Sequence, residues 1–378
     1  MADSERIFLS PPHMSGAEMT FIQKAFDENY ITTAGQNIVN FEKELCRLSS
    51  ASHAVVLNSG TAAIHLALRV LGVAAGDEVI CPTFSFVASA NPVLYQQATP
   101  IFIDSEPDTW NICPQYLEKT IQDRLRVGKK PKAILLVHLY GMPARLAELM
   151  KIANNYDIPV IEDAAEALGS TYQGKALGSF GAIGIYSFNG NKIITTSGGG
   201  ALVTDNAEYA QKALFLSTQA KDPAPYYQHS EVGYNYRMSN ISAGIGLGQL
   251  TVLAKRVQQR RAIHQFYAQA LSGVKAISFL PEPPDAFSNR WLSCLMLAPN
   301  LPVTPEQLRL ALEKEGIEAR PLWKPLHRQP LFADQPYYGS TVAENLFNQG
   351  LCLPSGSALT TEQLEKISAV ILKQFKSA

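Results

Sequence analysis

The chain has 378 residues, more than a single hydrophobic core usually serves, so one large domain with a smaller companion is expected. Apolar residues make up 46% and charged residues 17%, a globular composition that excludes extensive disorder. Lys and Arg total 32 against 33 Asp and Glu, so no net field favours nucleic acid or a membrane surface as partner, and any anion must be held locally.

Taken in chain order, residues 1–6 lack a basic segment leading into an apolar one, and no secretory signal is expected. From about residue 50 to 205 helical patterns alternate with short β-branched runs. Residues 59–71 place Ala62, Leu66 and Val70 at helical spacing behind a Ser-Gly-Thr start, which predicts an amphipathic helix. Strand-like runs follow at 78–81, 100–103, 133–138, 159–161, 183–188 and 201–204, with a helical stretch at 145–156. The alternation predicts an α/β protein whose mainly parallel central sheet is covered by helices, and such sheets bind ligands beyond the carboxyl ends of their strands.

Further along, 238–271 forms one long helical pattern with Leu247, Leu250, Leu253 and Val257 on its apolar side and Lys255, Arg256, Arg260 and Arg261 as a basic face, read as a connector between domains. Its weakly polar part, 241–254, is too short and too rich in Gly, Ser, Gln and Thr to span a bilayer. Pro281-Glu282-Pro283-Pro284 marks a loop, and a strand-like run at 292–297 with helices near 305–315 and 361–376 completes a smaller C-terminal α+β domain. The expected division is 1–245 for the large domain and 246–378 for connector and small domain. The five cysteines, Cys46, Cys81, Cys113, Cys294 and Cys352, are odd in number and contain no C-x-x-C pair, which argues against a disulfide framework or a zinc cluster and fits a cytoplasmic location.

The polar clusters fall where that sheet would present them. Asn58-Ser59-Gly60-Thr61 is a small-residue turn opening a helix, whose free backbone N–H groups can hold phosphate; the same residues also make an ordinary N-cap. Phe86, with Phe84, offers an aromatic face for a flat ring, though such residues are usually core. Asp163 follows a strand-like run and enters Ala164-Ala165-Glu166, so it pairs with a cation if buried, or complements a helix N-terminus if not.

Lys192 lies in Phe188-Asn189-Gly190-Asn191-Lys192, ahead of Gly198-Gly199-Gly200. A lysine in a polar loop is commonly just solvated, but one set in a partly desolvated site can carry an aldehyde cofactor. Ser187 adds a hydroxyl for a phosphate, and the glycines permit close backbone approach or simply a tight turn. Arg237, Arg320 and His327 are candidates for a substrate carboxylate or diphosphate, with surface ion pairs the ordinary alternative for the arginines and a satisfied structural role for the histidine. The sequence contains no G-x-x-x-x-G-K-[ST], H-E-x-x-H or G-x-S-x-G, and Gly178, Gly181 and Gly184 are wrongly spaced for a dinucleotide turn.

Together these motifs, in this order over nearly the whole chain, resemble the DegT/DnrJ/StrS family of sugar aminotransferases, which are fold-type I pyridoxal 5′-phosphate (PLP) enzymes. The resemblance implies Lys192 as the lysine that carries the cofactor and the proton, Asp163 as partner of its pyridine nitrogen, and Glu166 near its phenolic oxygen, where relatives have Gln, His or Glu. It further implies Gly60, Thr61 and Ser187 at the phosphate, Phe86 stacked on the ring, and Asn235 reaching the phosphate of a neighbouring subunit, hence a homodimer. The similarity is strongest to UDP-sugar 4-aminotransferases of N-acetylbacillosamine biosynthesis, through the Asn-Gly-Asn-Lys run and Arg320-Pro321-Leu322-Trp323-Lys324. Phe188 replaces the Tyr of those relatives, and Asn189-Gly190-Asn191 replaces the His-x-Thr of many others. The implied substrates are L-glutamate and a UDP-4-keto-6-deoxy-N-acetylhexosamine. Sugar dehydratases of the same fold carry a histidine in place of the lysine, so Lys192 speaks against that activity; a non-catalytic cofactor-binding protein is the remaining alternative.

Overall fold

The computed structural model describes residues 6–376. Its centre is an eight-stranded sheet in the order His53–Leu57, Gly200–Thr204, Ile183–Ser187, Val160–Asp163, Ala133–Val137, Glu78–Pro82, Thr99–Ile103 and Tyr337–Tyr338. From Ile183–Ser187 to Tyr337–Tyr338 every pairing is parallel; Gly200–Thr204 runs antiparallel to both of its neighbours. The mainly parallel sheet expected from the sequence is therefore present.

Its strands are apolar on both faces because helices cover both. In Ala133–Val137, Ala133, Leu135 and Val137 enter one core, while Ile134 and Leu136 point to the other, as the two-residue period of a strand requires. Helices Gly60–Val70 and Ala207–Ser217 close the first face. Helices Gln36–Ser49, Pro114–Arg126 and Leu146–Asn155 close the second.

Gly178 and Gly184, which carry no dinucleotide turn, have a packing reason. A Cβ on Gly184 would stand 1.9 Å from the Gly178 carbonyl oxygen, and Gly178 itself lies at φ +91°. The loop they shape wraps the Glu162 carboxylate, which accepts from His138 Nε2 (3.0 Å), Gly178 N–H (2.9 Å) and Gly181 N–H (2.6 Å). Burial opposes ionisation of Glu162, but His138 and these backbone donors overcome it and hold its pKa below the usual carboxylate range. The end of the strand that carries Asp163 is thereby pinned.

The expected single helix over 238–271 is two, Asn240–Leu250 and Leu253–Ala270. The break is local: Thr251 turns its hydroxyl onto the Gly248 carbonyl (2.6 Å), and Val252 leaves helical geometry at φ −116°, ψ 5°. The first helix is glycine-rich because it packs tightly. A Cβ on Gly246 would meet the Phe41 ring at 2.6 Å, and one on Gly248 would meet the Glu18 backbone at 2.7 Å. Nor is the basic face wholly solvated. Arg256 and Arg260 are buried, and Arg260 donates to the Trp291 carbonyl and to Ser10 Oγ; burial lowers its pKa to about 9.

Beyond the helices, a four-stranded antiparallel sheet orders Ile277–Phe279, Ser293–Leu297, Gly350–Leu353 and Arg320–Pro321. Helices Pro305–Lys314 and Thr361–Lys376 pack with Leu253–Ala270 over it around a third core. Thr304 caps the first of them in a full capping box with Gln307. No helix among the described residues is long and apolar enough to cross a membrane.

Candidate active site

A cavity of about 510 Å³ opens where the carboxyl ends of the parallel strands meet the C-terminal sheet. Strand His53–Leu57 delivers the Asn58-Ser59-Gly60-Thr61 turn to it. Ser59 Oγ accepts from Ala62 N–H (3.0 Å), which caps helix Gly60–Val70 and leaves the N–H groups of Gly60 and Thr61 free of that cap beside the cavity. Ser187 faces the same turn from the end of Ile183–Ser187. The approach is close: a Cβ on Gly60 would stand 3.0 Å from Ser187 Cβ, a contact that a small shift of Ser187 would have to relieve. One on Gly200 would come within 2.5 Å of Gly60 N. Backbone donors, the Thr61 and Ser187 hydroxyls and a helix N-terminus thus form an anion cradle.

Asp163, the last residue of its strand, is buried at the cavity wall. Its Oδ2 accepts from Ser89 Oγ (2.7 Å) and its Oδ1 from Ala165 N–H (3.1 Å). Among the described residues no Lys, Arg or His side chain forms an ion pair with it. A buried carboxylate with only neutral donors suits a cationic ligand group such as a protonated pyridine nitrogen.

Lys192 comes from the loop after Ile183–Ser187, and its side chain is only 12% exposed. Its Nζ lies 3.8 Å from Glu166 Oε1 and 4.2 Å from the centre of the Trp291 ring. Glu166 Oε2 accepts from Tyr140 N–H (2.6 Å). Burial pushes the Glu166 pKa up to about 7; Asp163 adds repulsion, while Lys192 and the Tyr140 N–H oppose the rise. A phosphate cradle, a buried carboxylate and a half-desolvated lysine on one cavity fit PLP, each group meeting a different part of that cofactor.

The other expected site residues divide. Phe86 lines the cavity, 48% exposed, with its ring 5.1 Å from that of Trp323. Arg320 also lines it and pairs with Glu318 at 2.7 Å. Asn235 is exposed and does not line this chain's own cavity; its carbonyl accepts from Asn58 Nδ2 at 3.3 Å. Arg237 does not line this chain's own cavity; its guanidinium donates to Glu42 (2.6 Å) and to the Val56 carbonyl (3.0 Å). His327 does not line it either. Its Nδ1 lies 2.6 Å from Thr83 Oγ1, its Nε2 lies 3.1 Å from Glu344, and its ring stacks on Tyr337.

The sequence reading missed Ser89, Tyr140, Trp291 and Trp323 as site residues. Tyr140 lies behind the wall, stacked between the two tryptophans. Trp291 gives one local hint, an indole directly ahead of the strand-like run 292–297; Ser89 and Tyr140 give none.

Comparison with known proteins places these features in context. The model of the DegT/DnrJ/EryC1/StrS aminotransferase family matches residues 12–372. A Bacillus subtilis (strain 168) protein named as a candidate pyridoxal phosphate-dependent aminotransferase, EpsN, is 50% identical over 98% of this chain and 96% of its own length. GDP-perosamine synthase of Caulobacter vibrioides is 37% identical over 98% and 99%. Among solved structures, Helicobacter pylori PseC, an aminotransferase involved in the biosynthesis of pseudoaminic acid, superposes with a TM-score of 0.91 at 26% identity, over 99% of this chain and 100% of that one.

Proposed function

The chain belongs to the DegT/DnrJ/EryC1/StrS aminotransferase family and is a PLP-dependent aminotransferase; from that premise we propose that it transfers the amino group of L-glutamate to C4 of a UDP-4-keto-6-deoxy-N-acetylhexosamine, giving UDP-4-amino-4,6-dideoxy-N-acetylglucosamine. The observation that carries the reading is the convergence of Lys192, Asp163, Glu166 and the Gly60–Ser187 cradle on one cavity. The run around Lys192 and the Arg320–Lys324 run support the choice of C4 and UDP.

The cofactor, when bound, supplies an aldehyde that exchanges with the donor's amine and a ring that accepts the electrons left when the donor's Cα loses its proton. Gly60 and Thr61 N–H groups, with the Thr61 and Ser187 hydroxyls, hold its phosphate. Asp163 keeps the ring nitrogen protonated, oriented by Ser89 and the Ala165 N–H. Lys192 would anchor the cofactor, and its free amine would take the proton from the donor's Cα. Glu166 holds a proton at the phenolic oxygen. Phe86 covers the ring, and Arg320 at the cavity edge binds the donor carboxylate or the sugar diphosphate. Asn235, exposed on its own chain, reaches the phosphate held by a second copy in a homodimer. The five free cysteines suit a reducing cytoplasm as the place of action.

Absorbance tests this directly. PLP-loaded protein is expected to show the visible band of lysine-bound cofactor, to bleach with L-glutamate and to recover with UDP-4-keto-6-deoxy-N-acetylglucosamine, while Lys192→Ala shows no such band. Bleaching without recovery discards the sugar and keeps the aminotransferase. A GDP-linked keto-sugar is the second reading, favoured by the likeness to GDP-perosamine synthase; recovery with that sugar alone would select it.

A further inference from the structure

We propose that Trp291 is a positioning residue for Lys192, its indole face serving as the seat of the lysine ammonium whenever that amine is not joined to the cofactor. The proposal rests on the assignment of Lys192 as the cofactor lysine, and it goes further by giving the amine a place to stand.

Lys192 Nζ lies 4.2 Å from the ring centre of Trp291, well inside the range of a cation–π contact, and Trp291 is 1% exposed. The ring cannot move away. Its Nε1–H donates to the Asn191 carbonyl at 2.7 Å, so the same side chain grips the residue next to Lys192 in the chain. Ser10 Oγ donates to the same carbonyl, also at 2.7 Å, and Ser10 in turn accepts from Arg260 Nη2 at 2.9 Å. Arg260 closes the circuit by donating to the Trp291 carbonyl. Tyr140 stacks on the indole, ring centres 6.3 Å apart with 20° between the planes.

The ammonium therefore stands between two partners, a fixed aromatic face and the Glu166 carboxyl at 3.8 Å. The aromatic face attracts the charge without taking its proton, so the amine stays in the cavity and stays free to move. Glu166 already pairs with it, and the indole face adds a second hold on the charged form, which is lost when the ring is removed. A buried indole N–H needs an acceptor in any role, so the contact that packing alone does not call for is the lysine over the ring face.

The test reads acylation of Lys192 in cofactor-free protein, by a water-soluble amine-acylating reagent and peptide mass spectrometry, against exposed Lys275 as internal reference. Trp291→Leu is expected to raise the relative rate about tenfold, the factor that goes with losing a desolvated cation–π contact. Trp291→Phe, which keeps an aromatic face, is expected to stay within about threefold of the natural chain, since Phe is a weaker cation–π partner than Trp. Because Trp291→Leu removes core volume and can fail to fold, the natural sequence is also produced with mono-, di- and tri-fluorinated tryptophan. These isosteres drain the ring's negative face in steps, so the Lys192 rate should climb with each fluorine, and the climb should vanish in Trp291→Phe. A flat fluorine series, or Trp291→Phe labelling as fast as Trp291→Leu, overturns the proposal. Protection of Lys192 by added PLP is scored separately: its absence sinks the cofactor-lysine assignment and leaves the tryptophan result standing on its own.

Discussion

Replacing Glu166 by glutamine removes a titration that the fold displaces far from its ordinary position. The carboxyl is buried, and its pKa rises from 4.5 to about 7 in the cofactor-free protein. Ionising it in place is therefore harder than in the unfolded chain by on the order of 3 kcal/mol. The sign follows from proton counting. Between pH 4.5 and 7 the folded chain holds a proton that the unfolded chain has released, so this group's contribution to stability is complete below about pH 4.5 and is lost as pH rises through 7. Glutamine has no such dependence. The stability of the natural chain relative to Glu166→Gln should fall by roughly 3 kcal/mol from pH 4.5 to pH 8 and then level off. Urea unfolding of both proteins without cofactor, at half-unit pH steps, measures this difference, and difference infrared spectra follow the protonated carboxyl directly. A curve of stability difference that is flat over that range, or a carboxyl band that vanishes near pH 4.5, would refute the argument, because either means that Glu166 ionises as freely as a solvated glutamate.

Three further substitutions separate the parts of the site. Asp163→Asn keeps the Ala165 N–H contact but removes the charge, and kcat should fall about 10- to 100-fold with PLP still bound; unchanged kcat removes Asp163 from the ring nitrogen. Gly60→Ala places a methyl 3.0 Å from Ser187 Cβ at the cradle, so Kd for PLP, read by spectroscopic titration, should rise about tenfold or more, and an unaltered Kd moves the phosphate elsewhere. Arg237→Ala breaks the ion pair with Glu42 and should cost about 2 kcal/mol of stability while leaving KM for glutamate within twofold; a large rise in KM would return Arg237 to the substrate.

The sheet was legible because its strands are buried on both sides and so read as short continuous apolar runs, as in Ala133–Val137. The site residues that could be found were those lying directly beyond such runs. Asp163 ends a strand, Ser187 ends the next, and Lys192 follows within five residues, so position in the sequence and position in the cavity are nearly the same information. The break at Thr251 was not legible, since the apolar spacing continues across it, and it shows only in the turn of the Thr251 hydroxyl onto Gly248 and the non-helical backbone of Val252. The buried basic residues were hidden for a similar reason. Arg260 carries its charge next to Arg256 and Arg261 in the sequence, and nothing local says that Ser10 and the Trp291 carbonyl will enclose it.

Arg237 and His327 show what local reading leaves out in the opposite sense. Both are residue types suited to an anion, and both lie in motifs of the right family order. Yet the partner that consumes Arg237 is Glu42, 195 residues upstream, and one that consumes His327 is Thr83, 244 residues upstream. A polar side chain is available to a ligand only if no such distant partner claims it first, and that depends on tertiary contacts rather than on sequence neighbours. Trp291 is the converse: it arrives from 100 residues beyond Asn191, looks like ordinary core, and becomes part of the site because the loop of Lys192 folds onto it. The chemistry of this cavity is therefore written locally in its acids and its lysine, whereas the restraint that makes the lysine usable is supplied from a distance by Ser10, Arg260 and Trp291.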